Sequence, residues 1–329
     1  MSSRFPSTPL AEPLHFEFSG KIAPNRFLKA AMTEKLSFWH AQEEEIRGIP
    51  SPNIHNVHMA ASSLGRLRTQ DGRVLGIEFA KSHPASQEEL DEVIRSFTLT
   101  ASYLYQAGFD GVELQGAHGY SLSQFLSLST NLWTDNYGGN LGNRARLIID
   151  IARSILANTP TGFIMEATFD FVELSGGTYN SMAFKHERET TRKREAFFLD
   201  FADMIVPQLQ KTKTYVTRGF KTLGGMLEAL KTVDGVGVGR AVCQEFNLAK
   251  DMLSGSISAA VNQKVDQDDF ALTKIIAGSQ IRQVGKGKEP VDMSKEEDVQ
   301  AFLEATDIWA RLMEENAQTM MLYSYLDLD

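Results

Sequence analysis

The sequence predicts an α/β fold of barrel type, and three observations carry that prediction. The first is Phe109–Leu114, FDGVEL, a short apolar strand with Val112 and Leu114 two apart on one face. It runs straight into Gln115, His118 and Tyr120, with Gly116 and Gly119 between them. Polar and ionisable side chains gather in this way where a buried strand surfaces, as at the C-terminal rim of a (β/α)8 barrel. The second observation is a helical pattern on either side of that strand: Leu90, Val93, Ile94 and Phe97 before it, and Leu147, Ile148, Ile151 and Ile155 after it. The third lies further on, where apolar strands end in the glycine-bearing loops VTRGF (Val216–Phe220) and GVGVGR (Gly235–Arg240).

Composition narrows the class. Of the 329 residues 42% are hydrophobic, ample material for a core, and 23% are charged, as in ordinary globular proteins. A net charge of −9 argues against a nucleic-acid footprint, which needs a clustered basic face. No segment approaches the ~18 apolar residues of a membrane span, and the opening MSSRFPSTPLAEPLHF has no apolar core of a secretory signal. Cys243 is the single cysteine, which excludes internal disulfides and a cysteine-rich metal site and suits a reducing compartment. No metal-ligand spacing and no Ser-His-Asp order is present. The expectation is a cytoplasmic protein with a small-molecule substrate, no nucleic-acid partner and no membrane association. Its oligomeric state is open, a homodimer included.

The central stretch also carries a resemblance. HGY (118–120), QFLS (124–127), TDNYGG (134–139) and NRAR (143–146) stand in the order and spacing found after the fourth strand of the Old Yellow Enzyme family. The resemblance implies an FMN-dependent TIM-barrel oxidoreductase that takes NAD(P)H as reductant. Along the chain, residues 1–20 read as an arm over the closed end of such a barrel. Asn25–Leu36 reads as the first strand, with Phe27, Leu28, Ala30 and Ala31 as its apolar part. Between Phe38 and Ala85 the family's second and third strands cannot be found. Ser86 and Glu89 form a capping box for the helix that follows, and Arg146–Leu156 is the helix after the central stretch. FIM (163–165) resembles part of a fifth strand and runs almost directly into FDFVEL (169–174), the sixth. Glu166–Thr168 cannot supply a crossover of at least ~10–12 residues, so the two cannot both sit in a regular parallel barrel. The usual fifth-strand end, which brings a basic residue to the flavin, is missing with it. Strand six, a charged helix, strand seven, the helix LGGMLEALKTV and strand eight then follow in family order. The expected fold is α/β, an incomplete TIM-type barrel over residues 1–278, with a helical extension over 279–329.

Candidate site residues follow from the resemblance. Ala30, Ala31 and Met32 would pack on the flavin ring and Thr33 would hydrogen-bond its carbonyl; by pattern alone the segment is a core strand. Gly219, Gly239 and Arg240 match the family's phosphate contacts, and Arg218 replaces a usual glycine. A backbone cradle of this kind holds phosphate through N–H groups. GVGVG lacks the G-x-G-x-x-G spacing of a dinucleotide fingerprint. Gln115 and His118 take the places of the substrate-gripping pair, in which the family usually has His with His or His with Asn. Such donors stabilise a developing enolate, and a glutamine amide can donate but is never cationic. Tyr120 matches the proton donor, and its phenol stays protonated at neutral pH. Outside this context His118 would be a structural histidine and Tyr120 a packed aromatic. Asp135, Tyr137, Gly138 and Gly139 are expected to shape the loop, Asn143, Arg144 and Arg146 to support it, and Cys243 to be a buried apolar residue.

Three readings of function result. In the first, the chain reduces the C=C bond of an α,β-unsaturated carbonyl by hydride from FMN, the divergent pair suggesting tailoring in secondary metabolism. In the second, it is a degenerate barrel that binds or regulates without catalysis. In the third, it is a truncated gene model or splice form whose missing blocks were lost at exon junctions.

Overall fold

The computed structural model describes residues 8–32, 85–117, 121–165, 170–175, 206–209, 211–217, 219–267, 269–315 and 325–328. Thr33, the stretch expected to lack strands two and three, His118, Tyr120, Arg218 and nearly all of the charged helix after strand six lie outside these residues.

The chain opens with α1 (Thr8–Ala11) and a hairpin of β1 (Leu14–His15) and β2 (Ile22–Ala23), followed by β3 (Phe27–Lys29). Leu14 and Phe16 pack on Tyr215 with Leu28 and Phe171. Phe171 opens the later strand β6 (Phe171–Leu174), so the hairpin covers the N-terminal end of the sheet. The predicted arm over the closed end is thus a folded cap.

Helix α2 (Gln87–Gln106) begins at the predicted box: Ser86 accepts from the Glu89 amide at 3.2 Å, and the Glu89 carboxylate accepts from the Ser86 amide at 2.8 Å. Each bond satisfies a donor that a helix start leaves without a partner. Its Leu90, Val93 and Ala101 are buried against Leu147, Ile151, Ala152 and Ile155 of α5 (Arg146–Asn158), in a core that also takes Leu114 and Phe163. Between them lie β4 (Gly111–Val112), α3 (Ser121–Leu126) and α4 (Leu141–Arg144).

The strands form two parallel sheets besides the hairpin. In one, β4 pairs with β5 (Ile164–Met165). In the other the order is β3–β8–β7–β6, with β7 spanning Lys213–Thr217 and β8 Gly235–Val238. Parallel neighbours need a crossover connection, and α6 (Leu223–Ala229) between β7 and β8 is one. The predicted incompatibility of strands five and six has a counterpart: among the described residues β5 pairs with β4, β6 pairs with β7, and β5 and β6 do not pair.

Side chains alternate across the larger sheet. Leu174, Val216, Val236 and Val238 enter a core with Leu223, Met226 and Ala229 of α6 and Leu248 and Met252 of α8 (Leu248–Leu253). The other face carries Phe171 and Glu173 from β6, Tyr215 and Thr217 from β7, and Leu28 from β3. On β8 that face holds Gly235 and Gly237, where a Cβ would meet the Tyr215 ring and the Thr217 hydroxyl respectively. The two glycines make room for their neighbours' side chains.

Downstream, α7 (Ala241–Gln244) leads through α8 to α9 (Phe270–Gly285) and α10 (Glu296–Glu315). Ile276, Met293, Val299, Phe302 and Leu326 form a separate small core. The expected division at 278/279 falls inside α9. Gln244 stitches this region to the sheet: its carbonyl oxygen accepts from Gln263 (2.9 Å), Gln280 (3.3 Å) and the Met293 amide (3.3 Å), and its amide donates to Asp292 (2.8 Å).

Candidate active site

The C-terminal ends of β7, β8 and β3 lie side by side because Thr217 pairs with Gly237 and Lys29 with Val238. The Ala30 amide extends the β3 ladder by donating to the Val238 carbonyl at 3.1 Å. Ala30, Ala31 and Met32 therefore leave the sheet beside Gly239. A Cβ at Gly239 would stand 3.6 Å from the Met32 sulfur and 3.8 Å from the Ala30 Cβ. Cys243, buried as expected, places its sulfur 3.5 Å from that of Met32. One loop over, Gly219 sits at φ +55°, a conformation glycine adopts without strain, and nothing lies within 4 Å of where its Cβ would be. Arg240 is held from the C-terminal side: its Nη1 donates to Thr273 Oγ1 at 2.5 Å, and Thr273 donates to the Asp269 carbonyl at 2.8 Å in the first turn of α9.

The structure thus brings together Ala30, Ala31, Met32, Gly239 and Arg240, with Gly219 at the end of the adjacent strand. Gln115 stands just past β4 in the other sheet, at the corresponding C-terminal end, and is exposed. The loop after it is built by the residues expected to shape it. Asn131 donates to the Phe125 and Tyr137 carbonyls, both at 2.7 Å, and Asp135 accepts from the Tyr137 amide at 2.8 Å. Arg144 bonds the carbonyls of Leu126 (2.8 Å) and Gly139, while Arg146 bonds those of Asn136 (2.6 Å) and the Asn143 side chain (2.9 Å). Asp135, Arg144 and Arg146 thus spend their bonds on the loop itself.

The sequence reading passed over one pair. Val112 and Leu114 face the α2–α5 core, so Glu113 points the opposite way, one pleat below Gln115 and on its side of the strand. Glu113 donates a hydrogen bond to Glu173 of β6. Burial foremost, then the charge of Glu173 and that bond, push the Glu113 carboxyl up to about 7. Burial also raises Glu173, against the Thr217 hydroxyl and Glu113, which favour its ionised form. The signal lay in FDGVEL and FVEL, two apolar strands that each carry a glutamate between residues of the outer core. Among the described residues no group of three or more His, Cys, Asp or Glu could hold a metal. No helix there is long and apolar enough to cross a membrane.

FMN needs a Cβ-free approach for its phosphate and an apolar edge for its ring. The open space at Gly219, the glycine at 239 beside Ala30 and Met32, and an arginine anchored at the same strand end meet both needs. The residues present fit the group.

The comparisons bear on the fold and the family. The architecture resembles that of 2-naphthoyl-CoA reductase solved with 2-naphthoyl-CoA, with a TM-score of 0.61 at 15% identity over 88% of this chain and 57% of that one. It also resembles morphinone reductase solved with tetrahydroNAD, with a TM-score of 0.50 at 14% identity over 77% of this chain and 92% of that one. These likenesses define the fold as the α/β TIM-barrel type. The sequence profile of the NADH:flavin oxidoreductase / NADH oxidase family matches residues 52–165. An NADH-dependent flavin oxidoreductase, nadA, of Aspergillus parasiticus is 33% identical over 407 aligned positions, covering 92% of each chain. The chain belongs to this family, the Old Yellow Enzyme family of oxidoreductases, whose cofactor is FMN and whose reductant is NAD(P)H. The aligned span exceeds the chain's 329 residues, so the alignment opens gaps in this chain.

Proposed function

We propose that this protein reduces the C=C bond of an α,β-unsaturated carbonyl compound. The observation that carries the reading is the convergence of Gly219, Gly239–Arg240 and Ala30–Met32 at one end of a parallel sheet. A phosphate would lie at Gly219, Gly239 and Arg240, the thioether and methyls of Met32, Ala30 and Ala31 would line the ring, and Thr33 would bond its carbonyl. FMN, when bound, supplies the hydride that NAD(P)H has given it. Gln115 and His118 hold the substrate oxygen by donating hydrogen bonds that strengthen as negative charge develops there. Tyr120 gives its phenolic proton to the α-carbon. Because Gln115 carries no charge, polarisation rests more heavily on His118. The setting is cytoplasmic, and α9 and α10 are a helical extension of the barrel.

The gaps in the alignment favour a second reading, an incomplete barrel that has kept its rim and lost turnover. One series of experiments separates the two. Purified protein is mixed with FMN, desalted and examined by visible absorption, then titrated anaerobically with NADPH in the presence of cyclohexenone. Retained flavin with enone-dependent NADPH oxidation, cut by orders of magnitude in Tyr120→Phe, supports the enzyme. Retained flavin without oxidation supports the second reading. Protein that keeps no flavin refutes the cofactor site itself.

A further inference from the structure

We propose that Glu113 and Glu173 form a one-proton carboxyl pair inside the barrel, a positioning element that sets the charge directly below the cofactor rim. The inference rests on the reading of that rim as the flavin site. Four observations place the pair. On β4, Val112 and Leu114 face the outer core, which turns Glu113 to the interior. On β6, Val172 and Leu174 do the same and turn Glu173 inward. On β8, Gly237 presents no side chain to the interior, and Glu173 Oε1 lies 3.4 Å from where its Cβ would be. The Thr217 hydroxyl of β7 overlies the same glycine. Glu113 and Glu173 hydrogen-bond each other, and so join two sheets that share no strand pairing among the described residues.

Two carboxylates in hydrogen-bond contact resist ionising together, and without a neighbouring cation one of them holds its proton to higher pH. Among the described residues, the groups that face Glu113 supply none. β6 presents Glu173, and β7 presents Thr217 and, a layer lower, the Tyr215 phenol. β3 presents Leu28 and β8 the two glycines, while the β1–β2 cap adds Leu14 and Phe16. Lys213, at the start of β7, pairs with Asp234 at 3.6 Å. Just below pH 7 the pair therefore keeps one proton and one negative charge. As pH rises through about 7 the retained proton leaves. The floor of the site then gains a second charge, and the bond that ties the two sheets becomes a repulsion. An anionic cofactor, and still more its reduced form, is disfavoured over such a floor.

Three measurements test this on wild type, Glu113→Gln and Glu173→Gln. Infrared difference spectra of flavin-free protein between pH 6 and 8.5 are expected to show loss of a protonated-carboxyl C=O band in wild type and no such loss in Glu113→Gln. The apparent FMN dissociation constant of wild type is expected to rise roughly twentyfold across the same interval, the scale of one added charge about 9 Å from another at an effective dielectric of ~20. In Glu113→Gln that step is expected to flatten, and comparing the two proteins cancels the titration of the FMN phosphate itself. A hydrogen bond with a purely structural role would lower melting temperature at every pH and leave the step in place. An unchanged step in both variants, or no titrating carboxyl band in wild type, overturns the proposal. If no flavin binds at any pH, the cofactor reading fails, and the infrared arm still decides the pair.

Discussion

Replacing Gly235 by alanine adds one methyl carbon where β8 leaves no room for it. That carbon would stand 2.6 Å from Tyr215 Cδ1 and 2.8 Å from the Arg26 carbonyl oxygen, against an optimum of about 3.5–4.0 Å between carbon atoms. Neither obstacle can step aside. The Tyr215 ring is 3% exposed, meets Phe171 edge-on at 5.5 Å and is walled by Leu14, Phe16 and Leu28. The Arg26 carbonyl accepts the Val236 amide at 2.9 Å, so moving it breaks the β3–β8 ladder. Overpacking a core costs about 1–3 kcal/mol, and here two rigid neighbours put it at the top of that range. Alanine recovers roughly 0.5–1 kcal/mol over glycine within a strand. The net expectation is about 2 kcal/mol of lost stability. Gly116→Ala is the control: nothing lies within 4 Å of its Cβ position, and a change of no more than ~0.5 kcal/mol is expected. Urea unfolding followed by far-UV circular dichroism reads both, as a lower midpoint at unchanged slope. Equal midpoints for the two variants would refute the claim that the β8 glycines exist to seat interior side chains.

Further expectations concern the elements around the site. Ser86→Ala removes the cap of α2 and is expected to cost about 1 kcal/mol; an unaltered melting temperature would show the box to be idle. Gln244→Ala strips partners from Gln263, Gln280, Asp292 and the Met293 amide at once, with a loss of about 2–3 kcal/mol. Limited proteolysis should then cut first between α8 and α9, and a digestion pattern like that of wild type would count against the clamp. Asp327, hydrogen-bonded by Lys286 and Arg282, has its carboxyl held below the usual range. A lowered native value stabilises the fold above the ordinary carboxylate range and loses that effect as pH falls through it. Wild type should therefore melt above Asp327→Asn near neutrality, and the gap should close in acid; a gap independent of pH would exclude the ion pairs as its source.

What the sequence made legible was local. The Ser86–Glu89 box, the helix from Arg146 and the strands within FDFVEL and GVGVGR each depend on neighbours within a few residues, and each stands in the structure. Gly219, Gly239 and Arg240 were named by resemblance, and their joint position with Met32 follows from strand pairing that no local pattern contains. Helix α9 escaped notice because FALTKIIAGSQ does not sort into one apolar and one polar face: Thr273 meets Arg240, and Gln280 hides an amide in the interior. The Glu113–Glu173 pair escaped for a related reason. A glutamate in an apolar strand ordinarily marks the solvent side, and here that side of each strand faces the other sheet.

The pairing of β3 with β8 also fixes an order of events during synthesis. Arg26 donates to the Asp234 carbonyl across 208 residues of chain, so the first long strand emerges from a ribosome well before the neighbour it needs. Until then its apolar residues have no ladder and no roof, since Tyr215, which the N-terminal cap covers, is made late as well. Folding must hold this end in waiting while α2 and α5 assemble their own core from contacts within about 70 residues. Chains interrupted before Val238 would leave an unpaired β3 edge exposed, the kind of surface on which nascent proteins aggregate. Chaperone demand, more than the folded state, is where a lesion in β8 would be felt first.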